Sequence, residues 1–122
     1  MYFISKAIEI SASHCLDLDY SSKCNKMHGH NYKIIVYVKS EKLSPDGMVC
    51  DFAIISNVVN QFDHTHLNGL LGQSTTEKLA TRICNEMNAI LGLREHRPVC
   101  YQVEIRETEG SIVRYVKSIE NQ

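Results

Sequence analysis

No run of apolar residues in this 122-residue sequence approaches the length that spans a bilayer. The opening stretch from Met1 to His14 alternates apolar and polar side chains where a secretory signal would carry a continuous apolar core. A basic stripe is missing too. The formal net charge is -1 with both signs interspersed, so the electrostatic footprint of a nucleic-acid binder is absent. The five cysteines, at 15, 24, 50, 84 and 100, are odd in number and show no C-x-x-C or framework spacing. Reduced thiols in a cytosol follow, most of them acting as small buried hydrophobes. Internal repeats and low-complexity segments are also lacking. A soluble cytoplasmic protein with one compact domain over residues 1–122 is expected, without a membrane or nucleic-acid partner.

What is present reads as strands at both ends and helices between them. Residues 2–13 set Phe3, Ala7 and Ile10 among polar positions, and residues 31–39 are rich in β-branched and aromatic types; both suit strands. A polar loop, 17–25, joins them, so they can pair antiparallel. Ser44-Pro45-Asp46-Gly47 is a turn sequence. Asp51 can cap a helix from Phe52 to Phe62, with Phe52, Ile55, Val58, Val59 and Phe62 on one apolar face. A loop from Asp63 to Gly72 follows. Ser74 or Thr75 can cap a second helix that carries Leu79, Ala80, Ile83, Cys84, Met87, Ile90 and Leu91 and closes near Gly92. After Pro98, alternation returns with Val99, Tyr101, Val103 and Ile105, then a turn at Glu109-Gly110 and a last strand from Ile112 to Val116. The order strand, strand, helix, helix, strand, strand defines an α+β domain, with two helices on a four-stranded antiparallel sheet.

One constellation points to chemistry. His28-Gly29-His30 opens the second strand, and residues two apart in a strand share a face. His14 closes the first strand and can stand beside that pair if the two strands are antiparallel neighbours. Three imidazoles with a position left open describe a catalytic zinc site. Cys24 sits in a polar loop between Lys23 and Lys26, which favour its thiolate. It can be a fourth zinc ligand, making the site structural, or a free base near the metal. Spacing leaves both open.

Taken in order, Ile10-Ser-Ala-Ser-His14, Cys24-x-x-x-His28-Gly-His30-Asn-Tyr, Asp51-Phe52, Asp63-His64-x-x-Leu67-Asn68, Ser74-Thr-Thr-Glu77 and Glu107-Thr108 span nearly the whole chain. The set resembles the successive motifs of the 6-pyruvoyl-tetrahydropterin synthase superfamily. Three residues between Cys24 and His28, together with Asp51-Phe52, resemble the bacterial 6-carboxy-tetrahydropterin synthases. Ser74 to Glu77 and Asn31-Tyr32 look more like the pyruvoyl branch. Ile10 stands where phenylalanine is usual, and His66 where tyrosine is common.

The resemblance implies a tunnelling fold (T-fold), in which four-stranded sheets join edge to edge into a barrel of trimers stacked as hexamers. It implies Zn2+ on His14, His28 and His30, Cys24 as the base, and Asp63 with His64 as an acid/base pair arriving from a neighbouring subunit. Glu107 would anchor the pterin ring, with Thr75, Thr76 and Glu77 as further pocket residues. Ser/Thr-x-x-Glu is equally a helix-capping signature. His66 is expected to be a loop residue. Lys23, Lys26 and Arg106 are near enough to the motifs to meet a triphosphate.

The implied reaction takes 7,8-dihydroneopterin triphosphate to 6-carboxy-5,6,7,8-tetrahydropterin, with release of acetaldehyde and triphosphate, toward 7-deazaguanines such as queuosine. The alternatives are the pyruvoyl synthase or a related side-chain-cleaving lyase, and a non-catalytic zinc or pterin binder in which Cys24 closes the metal shell.

Overall fold

The computed structural model describes residues 1–20, 22, 25, 26, 28–108 and 110–118, with the side chain of His28 excepted. Strand β1 (Tyr2–His14) pairs antiparallel with β2 (His28–Ser40) along its whole length, from Tyr2 opposite Ser40 to His14 opposite His28. Helix α1 (Phe52–Asn60) follows the predicted turn, in which Gly47 has φ 82° and donates its N–H to Ser44 O at 2.8 Å. Strand β3 (Thr65–His66), the single turn α2 (Asn68–Leu71) and the long helix α3 (Thr76–Leu91) come next. The hairpin of β4 (Val99–Glu107) and β5 (Ile112–Val116) closes the chain.

The expected four-stranded antiparallel sheet is corrected in one respect. Among the described residues the sheet has five strands in the order β3-β1-β2-β4-β5, and β3 runs parallel to β1. Two residues are too few to show a strand period, so the segment read as loop. His66 belongs to this edge strand, where its Nδ1 lies 3.1 Å from the Ser13 hydroxyl. The tight turn α2 likewise replaces part of the expected loop.

The core lies on one face of the sheet. Ile10 and Ala12 of β1, Ile34, Val36 and Val38 of β2, and Val103 and Ile105 of β4 are buried. Against them pack Ile55, Val58 and Val59 of α1 and Leu79, Ile83, Met87 and Leu91 of α3. Alternation on a pleated strand and a 3.6-residue period on the helices are what make these faces continuous.

Three expected core positions are corrected. Phe52, the first residue of α1, is 47% exposed and lies under the Lys6 ammonium, 5.8 Å from its ring centre. Val99 and Tyr101 leave the face of Val103 and Ile105 because the β2–β4 register shifts between Tyr37 and Val38. A bulge adds one residue and reverses the alternation beyond it, so Cys100 is buried and Tyr101 meets Tyr37 and Phe3 on the other side.

Both helix starts follow from side-chain caps. The Asp51 carboxylate accepts from Ala53 N at 2.9 Å, and the Thr75 hydroxyl accepts from Lys78 N at 3.2 Å. Thr75 is therefore the cap of α3, and Ser74 and Glu77 do not form a capping box. Helix α1 ends at Asn60, two residues short of the expected Phe62, which is buried from the turn beyond it. Cys50, Cys84 and Cys100 are buried and Cys15 half-buried. Burial raises the Cys50 thiol, and the Cys84 hydrogen bond followed by burial raises Cys100. Among the described residues no helix is long and apolar enough to cross a membrane.

Candidate active site

At one end of the sheet the β1–β2 register sets His14 directly opposite His28, and Ala12 opposite His30. Residues 12, 14 and 30 thereby share the core face, as expected of an antiparallel pair. His14 is 4% exposed, and its ring centre lies 5.3 Å from that of His30. Two imidazoles on one tetrahedral zinc place their ring centres about 5 Å apart. His14 Nδ1 is 2.7 Å from the carbonyl oxygen of Ser74. A carbonyl can only accept, so Nδ1 carries a proton, and in the neutral ring Nε2 is then the nitrogen of the ligating type. The pair fits zinc by donor type, spacing and tautomer. Among the described residues no group of three metal-type side chains gathers; the side chain of His28 and all of Cys24 lie outside the described residues.

Tyr32, next along the same face, is fully buried and stands edge-on to His14 and His30, with ring centres 6.3 and 5.7 Å away. Its neighbour across the ladder is Glu107, at the end of β4. The Thr76 hydroxyl, in the first turn of α3, donates to the Glu107 carboxylate. His14, His30, Tyr32, Glu107 and Thr76 thus follow one another across one end of the core face, beside a helix N-terminus that offers free N–H groups. Of the other expected pocket residues, Thr75 caps α3 and Glu77 is exposed.

The Tyr32 hydroxyl is the one buried side-chain polar atom without a hydrogen-bond partner among the described residues. Burial first, and then the Glu107 charge, raise its phenol above the ordinary tyrosine range, so it stays a neutral donor. An unpaired buried hydroxyl costs about 1 to 3 kcal/mol. Tyr32→Phe is therefore expected to raise unfolding stability by about 1 to 3 kcal/mol. A fall of similar size in a urea titration of the ligand-free protein would show that the hydroxyl has a partner.

Asp63 and His64 lie elsewhere in this chain. Asp63 Oδ1 accepts from Ser11 N at 2.8 Å, and Oδ2 is 3.6 Å from His64 Nε2. His64 has φ 56° in the left-handed region, held by its N–H on Ser11 O at 2.6 Å, and its side chain is 83% exposed. Such a conformation is uncommon outside glycine and concentrates at functional sites. The imidazole opens onto a cleft of about 630 Å3 whose walls include Ser11, Ser13, Asn31 and His66 and also reach Ala12 and His30. The side chains of Ser11, Ser13 and Asn31 alternate with those of Ala12, His14 and His30 along the strand pair. Asp63 and His64 are thus anchored on Ser11 at the outer edge of β1, while His14 faces the core.

Arg106, a candidate for triphosphate, is committed to Glu104, which accepts from its Nε and Nη2 at 2.9 Å each. Lys26 is exposed and Lys23 lies outside the described residues.

Residues 3–118 match the family model described as 6-pyruvoyl tetrahydropterin synthase. The chain belongs to the 6-pyruvoyl tetrahydropterin synthase family. It is similar to 6-carboxy-5,6,7,8-tetrahydropterin synthase of Bacillus subtilis, 31% identical over 121 residues that cover 92% of this chain and 83% of the relative. It is equally similar to human 6-pyruvoyl tetrahydrobiopterin synthase, 32% identical over 133 residues, covering 92% and 89%. Among solved structures, 6-pyruvoyl tetrahydropterin synthase of Caenorhabditis elegans superposes with a TM-score of 0.74 at 28% identity, covering 96% of each chain. The family's named members are pterin synthases, which accords with an enzyme of the pterin side-chain lyase type and with the T-fold.

Sequence reasoning missed two residues as parts of the site. Tyr32 entered only as a motif letter, although an aromatic two positions after His30 must share its face. Asn68 also entered as a motif letter; its contacts with Cys15 and Ser74, described below, are set by tertiary structure.

Proposed function

We propose that this protein is a zinc-dependent lyase converting 7,8-dihydroneopterin triphosphate to 6-carboxy-5,6,7,8-tetrahydropterin, with release of acetaldehyde and triphosphate, in the cytoplasmic synthesis of 7-deazaguanines such as queuosine. The observation that carries the reading is the row His14, His30, Tyr32, Glu107 and Thr76 on one face. It sets a metal-type imidazole pair at one end and a carboxylate at the other, with a buried donor between. The three-residue interval from Cys24 to His28 favours the carboxy reaction.

His14, with His28 and His30, would hold Zn2+, and the Ser74 carbonyl keeps His14 in the ligating tautomer. Bound zinc would act as a Lewis acid on the hydroxyls of the substrate side chain and acidify the adjoining C–H bonds. Cys24 as thiolate would take such a proton, a state that Lys23 and Lys26, close by in sequence, would favour. Glu107 would accept two hydrogen bonds from the guanidine-like edge of the pterin. Thr76 fixes that carboxylate, and the first turn of α3, with Thr75 and Glu77, borders the ring. Asp63 would orient His64 to activate the cysteine or return a proton.

Asp63 and His64 are held by the backbone of Ser11 at the edge of β1 while His14 faces the core, which supports a site shared between subunits. A homo-oligomer, a hexamer built as a dimer of trimers, would bring a neighbour's Asp63 and His64 to the zinc face and close the sheet edges. The pyruvoyl reaction is the second reading, favoured by Ser74 to Glu77, Asn31-Tyr32 and the human relative. In a third, Cys24 closes a four-ligand zinc shell and the protein only binds; a zinc–sulfur contact in the ligand-free protein would support it.

The test is turnover of 7,8-dihydroneopterin triphosphate by the zinc-loaded protein beside Cys24→Ala. A base should contribute about 10^2- to 10^4-fold, so the variant is expected to lose that much activity and keep its zinc. No pterin turnover by either protein, or loss of zinc with the cysteine, would contradict the assignment.

A further inference from the structure

Beyond the residues that would touch zinc or pterin, the chain holds a side chain whose hydrogen bonds all end at the support of His14. Asn68, the first residue of the single turn α2, uses its full bonding capacity. Its Oδ1 accepts from Cys15 N at 2.8 Å and from the Ser74 hydroxyl at 3.0 Å. Its Nδ2 donates to Cys15 O at 2.8 Å and to Gly72 O at 2.9 Å. Two acceptor and two donor positions are all an amide has. One end of the clamp is therefore the residue directly after His14. The other is the short segment 72–74 whose last carbonyl receives the His14 Nδ1 proton.

The arrangement is repeated two residues on. Gln73 Oε1 accepts from Asp17 N at 2.9 Å, and its Nε2 donates to Asp17 O at 3.2 Å. Alternate residues of the extended segment 15–17 are thus each paired by a side-chain amide, where a neighbouring strand would have used its backbone. Asn68 ties that segment to the buried Ser74, so the carbonyl facing His14 has little freedom to turn.

We propose that Asn68 is a positioning residue for the metal site, holding the Ser74 carbonyl against His14 Nδ1 so that the imidazole stays in the Nδ1–H tautomer, the form that ligates through Nε2. The inference rests on the reading of His14 as a zinc ligand, and outer partners of ligating histidines typically change metal affinity about 10- to 100-fold when removed. Asn88 supplies a matched control. Its amide clamps Cys100 in the same way, with Cys100 N to Oδ1 and Nδ2 to Cys100 O both at 2.9 Å, but from within α3 and outside this network.

The experiment uses the full chain, chelated and then titrated with zinc, as wild type, Asn68→Ala and Asn88→Ala. The His14 tautomer is read from imidazole nitrogen shifts before zinc is added, and the zinc Kd from a competing chelator. Wild type is expected to show the Nδ1–H tautomer. Asn68→Ala should show a tautomer mixture and a zinc Kd weakened about 10- to 100-fold, and Asn88→Ala should lose thermal stability with tautomer and Kd within about twofold of wild type. Ser74→Ala, which removes only the hydroxyl contact to Asn68, should shift both readouts the same way by less, and it serves if Asn68→Ala does not fold. The proposal is overturned if wild type lacks the Nδ1–H tautomer, if both variants keep it unchanged, or if Asn88→Ala weakens zinc binding as much. Wild type that shows the tautomer but binds no zinc would sink the metal reading alone, while the tautomer readouts still decide the role of Asn68.

Discussion

His14→Ala is expected to empty the protein of zinc and to lower turnover of 7,8-dihydroneopterin triphosphate by about a thousandfold or more, because Lewis-acid stabilisation is worth several kcal/mol. His14 is nearly buried and has Nδ1 fixed on a backbone carbonyl. With His14 as a proposed ligand, its loss leaves fewer than the three protein ligands usual in a catalytic zinc site. The residue sits at the end of β1, beyond the apolar core of Ile34, Ile83 and Met87, so the variant should still fold. Metal analysis after gel filtration, with circular dichroism as the folding control, checks both halves. Full zinc occupancy with full activity would remove His14 from the site.

Glu107→Ala should give the second largest loss with the opposite metal result. The carboxylate is set at the end of β4 and already receives the Thr76 hydroxyl. Two hydrogen bonds from a pterin edge to a charged acceptor are worth about 1.5 to 3 kcal/mol each. Their loss lowers kcat/KM by about 10^2- to 10^4-fold. Zinc content should not change, because Glu107 is not among the ligands. Glu107→Gln keeps one acceptor and replaces the other with a donor, so it should fall between. Steady-state kinetics beside metal analysis separates the anchor from the metal; parallel loss of zinc in Glu107→Ala would place the residue in the metal site instead.

These two predictions draw on features that were unequally legible in the sequence. The placement of His14 opposite the His28-Gly29-His30 strand follows from alternation and one antiparallel pairing, and the structure has that register. The caps at Asp51 and Thr75 are local chemistry and were readable for that reason. The bulge between Tyr37 and Val38 depends on what β4 presents to β2, so no pattern within β4 could reveal that Tyr101 turns outward. The parallel pairing of Thr65 and His66 with β1 is equally non-local. Asp63 and His64 are adjacent letters in a motif, but their anchoring on Ser11 depends on which edge of β1 they reach. Ser74 reads as a capping residue, and only the fold shows its carbonyl directed at His14.

The most direct measurement is the identity of what leaves the substrate. The zinc-loaded protein, given 7,8-dihydroneopterin triphosphate, should release acetaldehyde and triphosphate in equal amounts and leave 6-carboxy-5,6,7,8-tetrahydropterin, all identified by mass spectrometry. A pterin that retains its three-carbon side chain, with triphosphate released and no acetaldehyde, would contradict the carboxy assignment, and an unchanged substrate would contradict the catalytic one.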